Sequence, residues 1–418
     1  MRLRAHVRIV SVFVVGLITG AALTAGATNP IPFDRLEAFS HALSIIHARY
    51  VDERDADQLV YDAIGGLTQG LDDHSVFLDP DAYRSMLEQT SGEYYGVGVQ
   101  TENRKGRVFV LAVSLGSPAE DADLRMGDEI VSVDGVLLTP DNAAVVLANV
   151  RGPRGTMVLL GIARGDGRID LAVRRDQVRT RSVQGGLLAD GIGHVRIARF
   201  QKRTIDEVSE LLALLREENG GALSGLVIDL RDNPGGYLRQ AVAVADLWVA
   251  DGTIVSTIDR GAESQQDRAQ AAGTDKETPL AVLINGGSAS AAEILAGALQ
   301  DLQRGTLVGY TSYGKGSVQQ FFELSDGSAL KLTTARYLTP SGRFIHGSGI
   351  EPDLTFGARG ASLALGNREG LPAAPSDAAD ILDADPELQI AWALLKDPTA
   401  TRAWFADRAP KPEPPPAQ

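Results

Sequence analysis

Two side chains late in the chain have the chemistry and the spacing for nucleophilic work. Ser290 lies a few residues after Leu280-Ala281-Val282-Leu283-Ile284, a short apolar run of the kind a strand buried on both faces carries. Asn285-Gly286-Gly287 breaks that run, and from Ser290 the pattern turns helical, with Ile294, Leu295, Ala298 and Leu299 on one stripe. A serine at such a strand–turn–helix junction presents its hydroxyl at the carboxyl edge of a sheet. There the free N–H groups of a helix start can receive negative charge. This is the logic of a nucleophile elbow, although the G-x-S-x-G form is absent. A serine hydroxyl needs a base within hydrogen-bond reach. The first candidate downstream is Lys315, set between glycines in Tyr313-Gly314-Lys315-Gly316-Ser317. A lysine is a base only when neutral, a state that burial favours, and arginine could not replace it. The plainer readings are an N-cap serine and a solvated lysine in a glycine loop. A phosphate loop is excluded because Lys315 is followed by Gly316.

The elements that must position these groups start from a chain of 418 residues, long enough for two or three domains. The net charge of −14 argues against nucleic acid as the main partner, which would need a basic face. With no cysteine, disulfides, thiol catalysis and a cysteine-linked lipid anchor are excluded. Arg2, Arg4 and Arg8 precede an uncharged apolar stretch, Ile9 to Ala27, that closes on Ala25-Gly26-Ala27. This reads as a secretory signal cleaved near Ala27, or else as an uncleaved membrane anchor. Either way the remainder is expected outside the cytoplasm, in the periplasm or on the outer face of the cytoplasmic membrane.

Ser288-Ala289-Ser290-Ala291-Ala292-Glu293-Ile294, followed by Gly314-Lys315-Gly316-Ser317-Val318-Gln319, resembles the carboxyl-terminal processing proteases, also called tail-specific proteases. These are serine peptidases of family S41 with a Ser/Lys dyad. The resemblance covers residues 33 to 356. It implies that Ser290 is the nucleophile, Lys315 its base and Gln319 the residue that orients the lysine. Asp229-Leu230-Arg231-Asp232-Asn233-Pro234-Gly235-Gly236 resembles the family's second glycine loop, implying that the N–H groups of Gly236 and Ala291 form an oxyanion hole. Ser288 then falls to a cap or turn role. Glu293, in the first helical turn, is expected to be structural. Leu71-Asp72-Asp73-His74-Ser75 matches a turn of the family in which the histidine has no chemical task.

Gly92 to Arg175 resembles a PDZ domain. Tyr95-Gly96-Val97-Gly98 matches the loop that takes a C-terminal carboxylate, and Met126-Gly127-Asp128-Glu129-Ile130-Val131-Ser132-Val133-Asp134-Gly135 matches a second landmark. Asp141 to Val150 is expected to be the helix beside the peptide groove, since such domains bind peptides by strand addition. Arg151 matches an arginine of this turn in relatives. A regulatory role for it, relaying peptide binding toward the protease, is weighed here against that of a solvated turn residue.

The expected fold class is a multidomain α+β and α/β chain. Residues 1–27 form the signal or anchor, 28–91 a helical region, 92–178 the PDZ domain and 179–357 an α/β protease core. A linker, a C-terminal helix and a Pro-rich tail fill 358–418. In the helical region Leu36, Phe39, Leu43, Ile46 and Tyr50 recur at helical spacing. Residues 258–278 include a polar stretch that reads as a flexible loop or a hairpin tip. The function implied is a serine endopeptidase that captures C-terminal tails of exported proteins through its PDZ domain and cleaves them without metal or organic cofactor. Its partners are protein or peptide substrates with accessible C-termini. Some relatives use an adaptor protein, which the residues here leave open, and a homo-oligomer is expected. Two other classes are weighed: a PDZ-type scaffold with little catalysis, and a Ser/Lys hydrolase of cell-wall peptides. The second is disfavoured because glutamate occupies the position where S-x-x-K needs its lysine.

Overall fold

The computed structural model describes residues 33–261, 264–356, 382 and 384–408. The expected signal or anchor at 1–27, most of the linker after 357 and the Pro-rich tail lie outside them. Among the described residues no helix is long and apolar enough to cross a membrane. The chain divides into two compact units, residues 1–77 and 78–418.

The first unit carries α1 (Phe33–Arg49) and α2 (Ala56–Gln69), and runs into the short strand β1 (Val76–Leu78). Asp55 caps α2 by accepting the N–H of Gln58 at 2.9 Å. No residue of α1 is buried, so Leu36, Phe39 and Ile46 lie exposed on it. Asp72 accepts the N–H groups of His74 and Ser75, giving that segment the turn its sequence indicated.

The second unit begins with α3 (Pro80–Ser91) and β2 (Glu93–Gly96), which pairs with β9 (Asp176–Arg179) to form a two-stranded ribbon. Between them stands the PDZ body. Its sheet runs in the order β3-β4-β5-β7-β8, from β3 (Val99–Arg104), β4 (Arg107–Val113), β5 (Glu129–Val133), β7 (Met157–Arg164) and β8 (Gly167–Arg174), with the short β6 (Val136–Leu137) on β5. Two short helices, α4 (Pro118–Asp121) and α5 (Ala143–Ala148), cover it. Its core holds Val97, Val108, Val110, Ile130, Leu160 and Ile162.

The body that carries Ser290 and Lys315 is built on a second sheet in the order β10-β11-β12-β15-β16-β19. Its strands are β10 (Val183–Leu187), β11 (Ile192–Ile197), β12 (Gly225–Asp229), β15 (Leu280–Ile284), β16 (Gly305–Gly309) and β19 (Leu354–Thr355). All neighbours except β10 and β11 run parallel. Every residue of β12 and β15 is buried, which explains their unbroken apolar runs. Ile228 and Val282 meet α6 (Thr204–Glu218), α7 (Leu238–Asp246) and α8 (Ala291–Asp301) in one core. Val227, Ala281 and Leu283 point the other way, onto α9 (Pro386–Lys396) with its Leu388, Ile390 and Trp392. The C-terminal helix therefore completes the second face of the sheet, and α10 (Pro398–Arg408) follows it.

A further antiparallel sheet joins β13 (Thr253–Asp259), β14 (Ser264–Arg268), β17 (Ser317–Glu323) and β18 (Ala329–Leu338). The polar stretch after Ile258 is thus partly an edge strand, and its residues alternate too little for periodicity to reveal it.

Candidate active site

Parallel sheets open their crevices beyond the carboxyl ends of the strands, and the two glycine-rich loops meet there. β15 stops at Asn285, whose side chain reaches the other loop. Its Oδ1 accepts the N–H of Asp232 at 2.9 Å, and its Nδ2 donates to Asp232 Oδ1 at 3.0 Å. Ser288 is fully buried and donates to the carbonyl of Leu230 at 2.7 Å while accepting the N–H of Asn285. Asn233, also fully buried, accepts the N–H of Gly235 at 2.8 Å through its side chain and that of Ala289 at 2.8 Å through its carbonyl.

Ser290 closes this junction with φ 56 and ψ −115. Such a backbone costs a non-glycine residue about 1–3 kcal/mol and persists only where the surroundings impose it. The surroundings here are explicit. The Ser290 N–H donates to Glu293 Oε2 at 2.8 Å, and its carbonyl accepts the N–H of Ile294 at 3.0 Å and the hydroxyl of Tyr337 at 3.1 Å. The serine is half-buried at the first turn of α8.

Gly235 (φ +99) and Gly236 (φ +138) must be glycines. A Cβ on Gly236 would lie 2.1 Å from the Phe200 carbonyl oxygen, and one on Gly235 would lie 2.8 Å from Ser290 Cβ and 2.9 Å from the Ala291 nitrogen. The two loops therefore touch backbone to backbone. Among the described residues neither the N–H of Gly236 nor that of Ala291 has an acceptor.

Lys315 arrives from the next loop. Glu293, fully buried, binds that loop through both carboxylate oxygens. Oε1 accepts the Ser312 hydroxyl at 2.5 Å and the Gly314 N–H at 2.7 Å, and Oε2 accepts the Lys315 N–H at 2.8 Å. One oxygen thus holds the amides of both Ser290 and Lys315, and the two nitrogens lie within twice 2.8 Å of each other. A buried carboxylate is tolerable only with this many donors. Tyr337 adds a hydroxyl between the carbonyls of Lys315 and Ser290. Burial, with the Glu293 charge beside it, pushes its phenol well above the ordinary tyrosine value, so it stays a donor.

Gln319 stands on β17 beside a bulge. Val318 faces Ala335 and Gln319 faces Thr333, so β18 carries an extra residue there and the register shifts. Bulges re-aim side chains. The Gln319 amide nitrogen donates to Ser317 Oγ at 2.8 Å and Thr333 Oγ1 at 3.3 Å, which leaves its carbonyl oxygen as the end able to accept from a lysine. A cleft of about 1280 Å³ opens nearby, although Ser290, Lys315 and Gln319 do not themselves line it. Tyr237, which follows Gly236, lines it together with Leu238, Val318, Leu332 and Thr333.

Residues 191–356 match the peptidase family S41 model, and residues 96–174 a PDZ domain model. The chain is 36% identical over 361 residues to a carboxy-terminal-processing protease of Bartonella bacilliformis, covering 83% of this chain and 82% of that protein. This chain belongs to peptidase family S41. It is 34% identical to the carboxy-terminal processing protease CtpA of Bacillus subtilis over 82% of this chain and 73% of that one. Among solved structures it is similar to a photosystem II D1 C-terminal processing protease, with 29% identity, a TM-score of 0.47 and coverage of 84% and 97%. The S41 peptidase described here is accordingly a serine-type peptidase of the carboxy-terminal processing group with a PDZ domain.

Within this S41 protein the PDZ pocket is a cavity of about 150 Å³. Val97, Gly98, Ile130, Leu147 and Arg151 line it, with Tyr94. Gly98 (φ +90) packs on Ser117, where a Cβ would lie 2.3 Å away, so this turn also requires glycine. Tyr95 and Gly96 lie in the β2–β9 ribbon opposite Gln177 and Asp176. Tyr94 rather than Tyr95 supplies the ring of the pocket. The Arg151 guanidinium stacks 4.7 Å from the centre of that ring and pairs with Glu88 of α3 at 2.9 Å. Sequence reasoning missed Tyr94, Glu88 and Tyr337, and it underread Glu293. The only available signal was Glu293's place in the first turn of α8.

Proposed function

We propose that this peptidase cuts polypeptides with a Ser290/Lys315 dyad after its PDZ groove has taken their C-terminal tails. Neutral Lys315 removes the Ser290 hydroxyl proton as Oγ bonds to the scissile carbonyl carbon. The N–H groups of Gly236 and Ala291 receive the charge on the carbonyl oxygen. As the tetrahedral species collapses, the C–N bond breaks and Lys315 returns the proton to the departing amine. A water that takes the amine's place gives a proton to Lys315 and bonds to the acyl carbon; the ester bond to Ser290 Oγ then breaks and Lys315 returns the proton to Oγ. Gln319 orients the lysine through its carbonyl oxygen.

The observation that carries this reading is the shared Glu293 oxygen. It ties a serine in a strained backbone to the loop of the one lysine between glycines. The amides of Gly236 and Ala291, unpartnered among the described residues, agree with it. Arg151, held between Tyr94 and Glu88 at the PDZ pocket, is assigned a regulatory role: an incoming carboxylate competes with Glu88 for it. The exposed apolar stripe of α1 supports self-association, and the basic and apolar N-terminus supports export to the periplasm or the outer face of the cytoplasmic membrane.

The test is cleavage of an unfolded protein with an apolar C-terminus by wild type, Ser290→Ala and Lys315→Ala, with a fluorophosphonate probe on Ser290. Both variants should lose cleavage while melting like wild type. Cleavage by Ser290→Ala would overturn the dyad.

A further inference from the structure

The loop that ends in Gly236 begins at Arg231, and Arg231 is held by the C-terminal helix. Its guanidinium is 11% exposed and spends every N–H on a carboxylate oxygen. Nε donates to Asp229 Oδ1 at 3.0 Å and Nη2 to Asp229 Oδ2 at 2.7 Å. Nη1 and Nη2 grip Asp385 at 2.9 and 2.6 Å, and Nη1 also reaches Glu387 at 2.9 Å. Asp385 is at the same time the N-cap of α9, accepting the Leu388 N–H at 3.0 Å. The Arg231 N–H returns to Asp229 Oδ1 at 3.0 Å.

This cluster is a poor way to gain stability. Gathering one buried and two half-buried carboxylates around one guanidinium carries a desolvation cost that apolar packing would avoid. A planar fork with five directed bonds does fix geometry, however. What it fixes is the first residue of the loop. The rest is already constrained: Asp232 by Asn285, Asn233 by Ala289, Gly235 by the Asn233 side chain. A backbone held so closely passes a displacement at Arg231 on to Gly236. The anchor lies 154 residues away, on the helix whose Ile390 and Trp392 cover the second face of the sheet.

We propose that Asp385 and Glu387 are positioning residues of the catalytic centre, through which the C-terminal helix sets the aim of the Gly236 N–H toward the reacting oxygen. The proposal rests on the dyad reading above, with Gly236 as an oxyanion donor.

The experiment uses the full chain carrying Asp385→Asn with Glu387→Gln, and Glu387→Gln alone in case the pair does not fold. Asparagine still caps a helix, so α9 keeps its start while the charge is removed. The readouts are kcat and KM on a short fluorogenic peptide, the rate of fluorophosphonate labelling at Ser290, and thermal melting. Losing an oxyanion donor outright costs about 10²–10³ in kcat, so misaiming one should cost about tenfold or more. The expected result is that loss in kcat and in labelling rate, with KM within about twofold, cooperative melting retained, and a smaller loss of the same kind in the single variant. Arg231→Lys, which keeps the charge but not the fork, should behave like the double variant. Wild-type kcat and labelling in the double variant would overturn the proposal whatever the melting temperature. If the pair does not fold, the single variant decides in the same way. Absence of Ser290 labelling in wild type itself would overturn the dyad reading, and this proposal with it.

Discussion

Glu293→Gln separates holding a backbone from handling a proton. The carboxylate accepts four short hydrogen bonds, two on each oxygen. A glutamine keeps one oxygen and turns the other into a donor, so one pair of bonds must suffer. If the new NH₂ faces Ser290 and Lys315, two amides lose their acceptor. If it faces Ser312 and Gly314, the Ser312 hydroxyl can rotate to accept from it, although it already accepts the Ile350 N–H at 2.6 Å, and only the Gly314 N–H is orphaned. The second orientation is cheaper, at one hydrogen bond to a charged acceptor, or about 1.5–3 kcal/mol. At about 2–4 °C per kcal/mol for a domain of this size, the melting temperature should fall by about 3–12 °C. Ser290 and Lys315 keep their shared oxygen in that arrangement, so cleavage should fall by less than about tenfold. Glu293→Ala removes both acceptor oxygens, and all four bonds with them, and frees both loops. A misplacement of about 1 Å at a reacting group costs about 10²-fold, and the alanine variant should lose at least that. The assay is thermal melting beside cleavage of an unfolded substrate. A Glu293→Gln protein as inactive as Ser290→Ala yet melting like wild type would refute the reasoning. The carboxylate would then take part in proton transfer rather than hold the two amides.

Other perturbations follow from the same contacts. Gly235→Ala would drive a methyl group to 2.8 Å from Ser290 Cβ and 2.9 Å from the Ala291 nitrogen in a positive-φ position, so kcat should fall at least about 10²-fold; unchanged turnover would show that the two loops do not meet at the reacting oxygen. For Asp229 and Asp385, burial pushes each carboxyl up, but their neighbours, the His194 ring at 3.5 Å and the Arg231 guanidinium for Asp229, and Arg231 with the Leu388 N–H for Asp385, hold both below the ordinary range. A depressed carboxyl stabilises the fold above its unfolded value and loses that contribution as pH falls through the folded one. The melting difference between wild type and Asp385→Asn should therefore be full at pH 7, persist to about pH 4, and shrink only below that; its disappearance between pH 6 and 5 would contradict the assignment. Glu88→Gln should tighten binding of a free-carboxylate tail peptide by less than about tenfold, since an exposed ion pair is worth about 0.2–1 kcal/mol. An equal gain for the amidated peptide, read by fluorescence anisotropy, would rule out competition for Arg151.

What the chain discloses in advance depends on which end of each contact is a side chain. Ser290, Lys315, Gly235 and Gly236 lie in short contiguous runs, and their chemistry or conformation admits few other residues, so the sequence points to them directly. The apolar runs of β12 and β15 likewise announce strands buried on both faces, and α9 is legible as a helix from Leu388 to Leu395. Its place on the sheet is not legible, because helical periodicity records an apolar face without saying what it covers. The contacts that close the site are harder still. Three of the four short bonds to Glu293 come from the amides of Ser290, Gly314 and Lys315, and an amide is the same whatever residue carries it. Only the carboxylate is written in the sequence, and there it looks like an ordinary first-turn acid at a helix start. Tyr337 reaches the site from a strand in a different sheet, and Asp385 from a helix beyond the last strand. Their roles come from topology alone. The candidate reactive groups of this S41 peptidase can thus be read locally, whereas the groups proposed to aim them become visible only when the sheet brings distant loops to one edge.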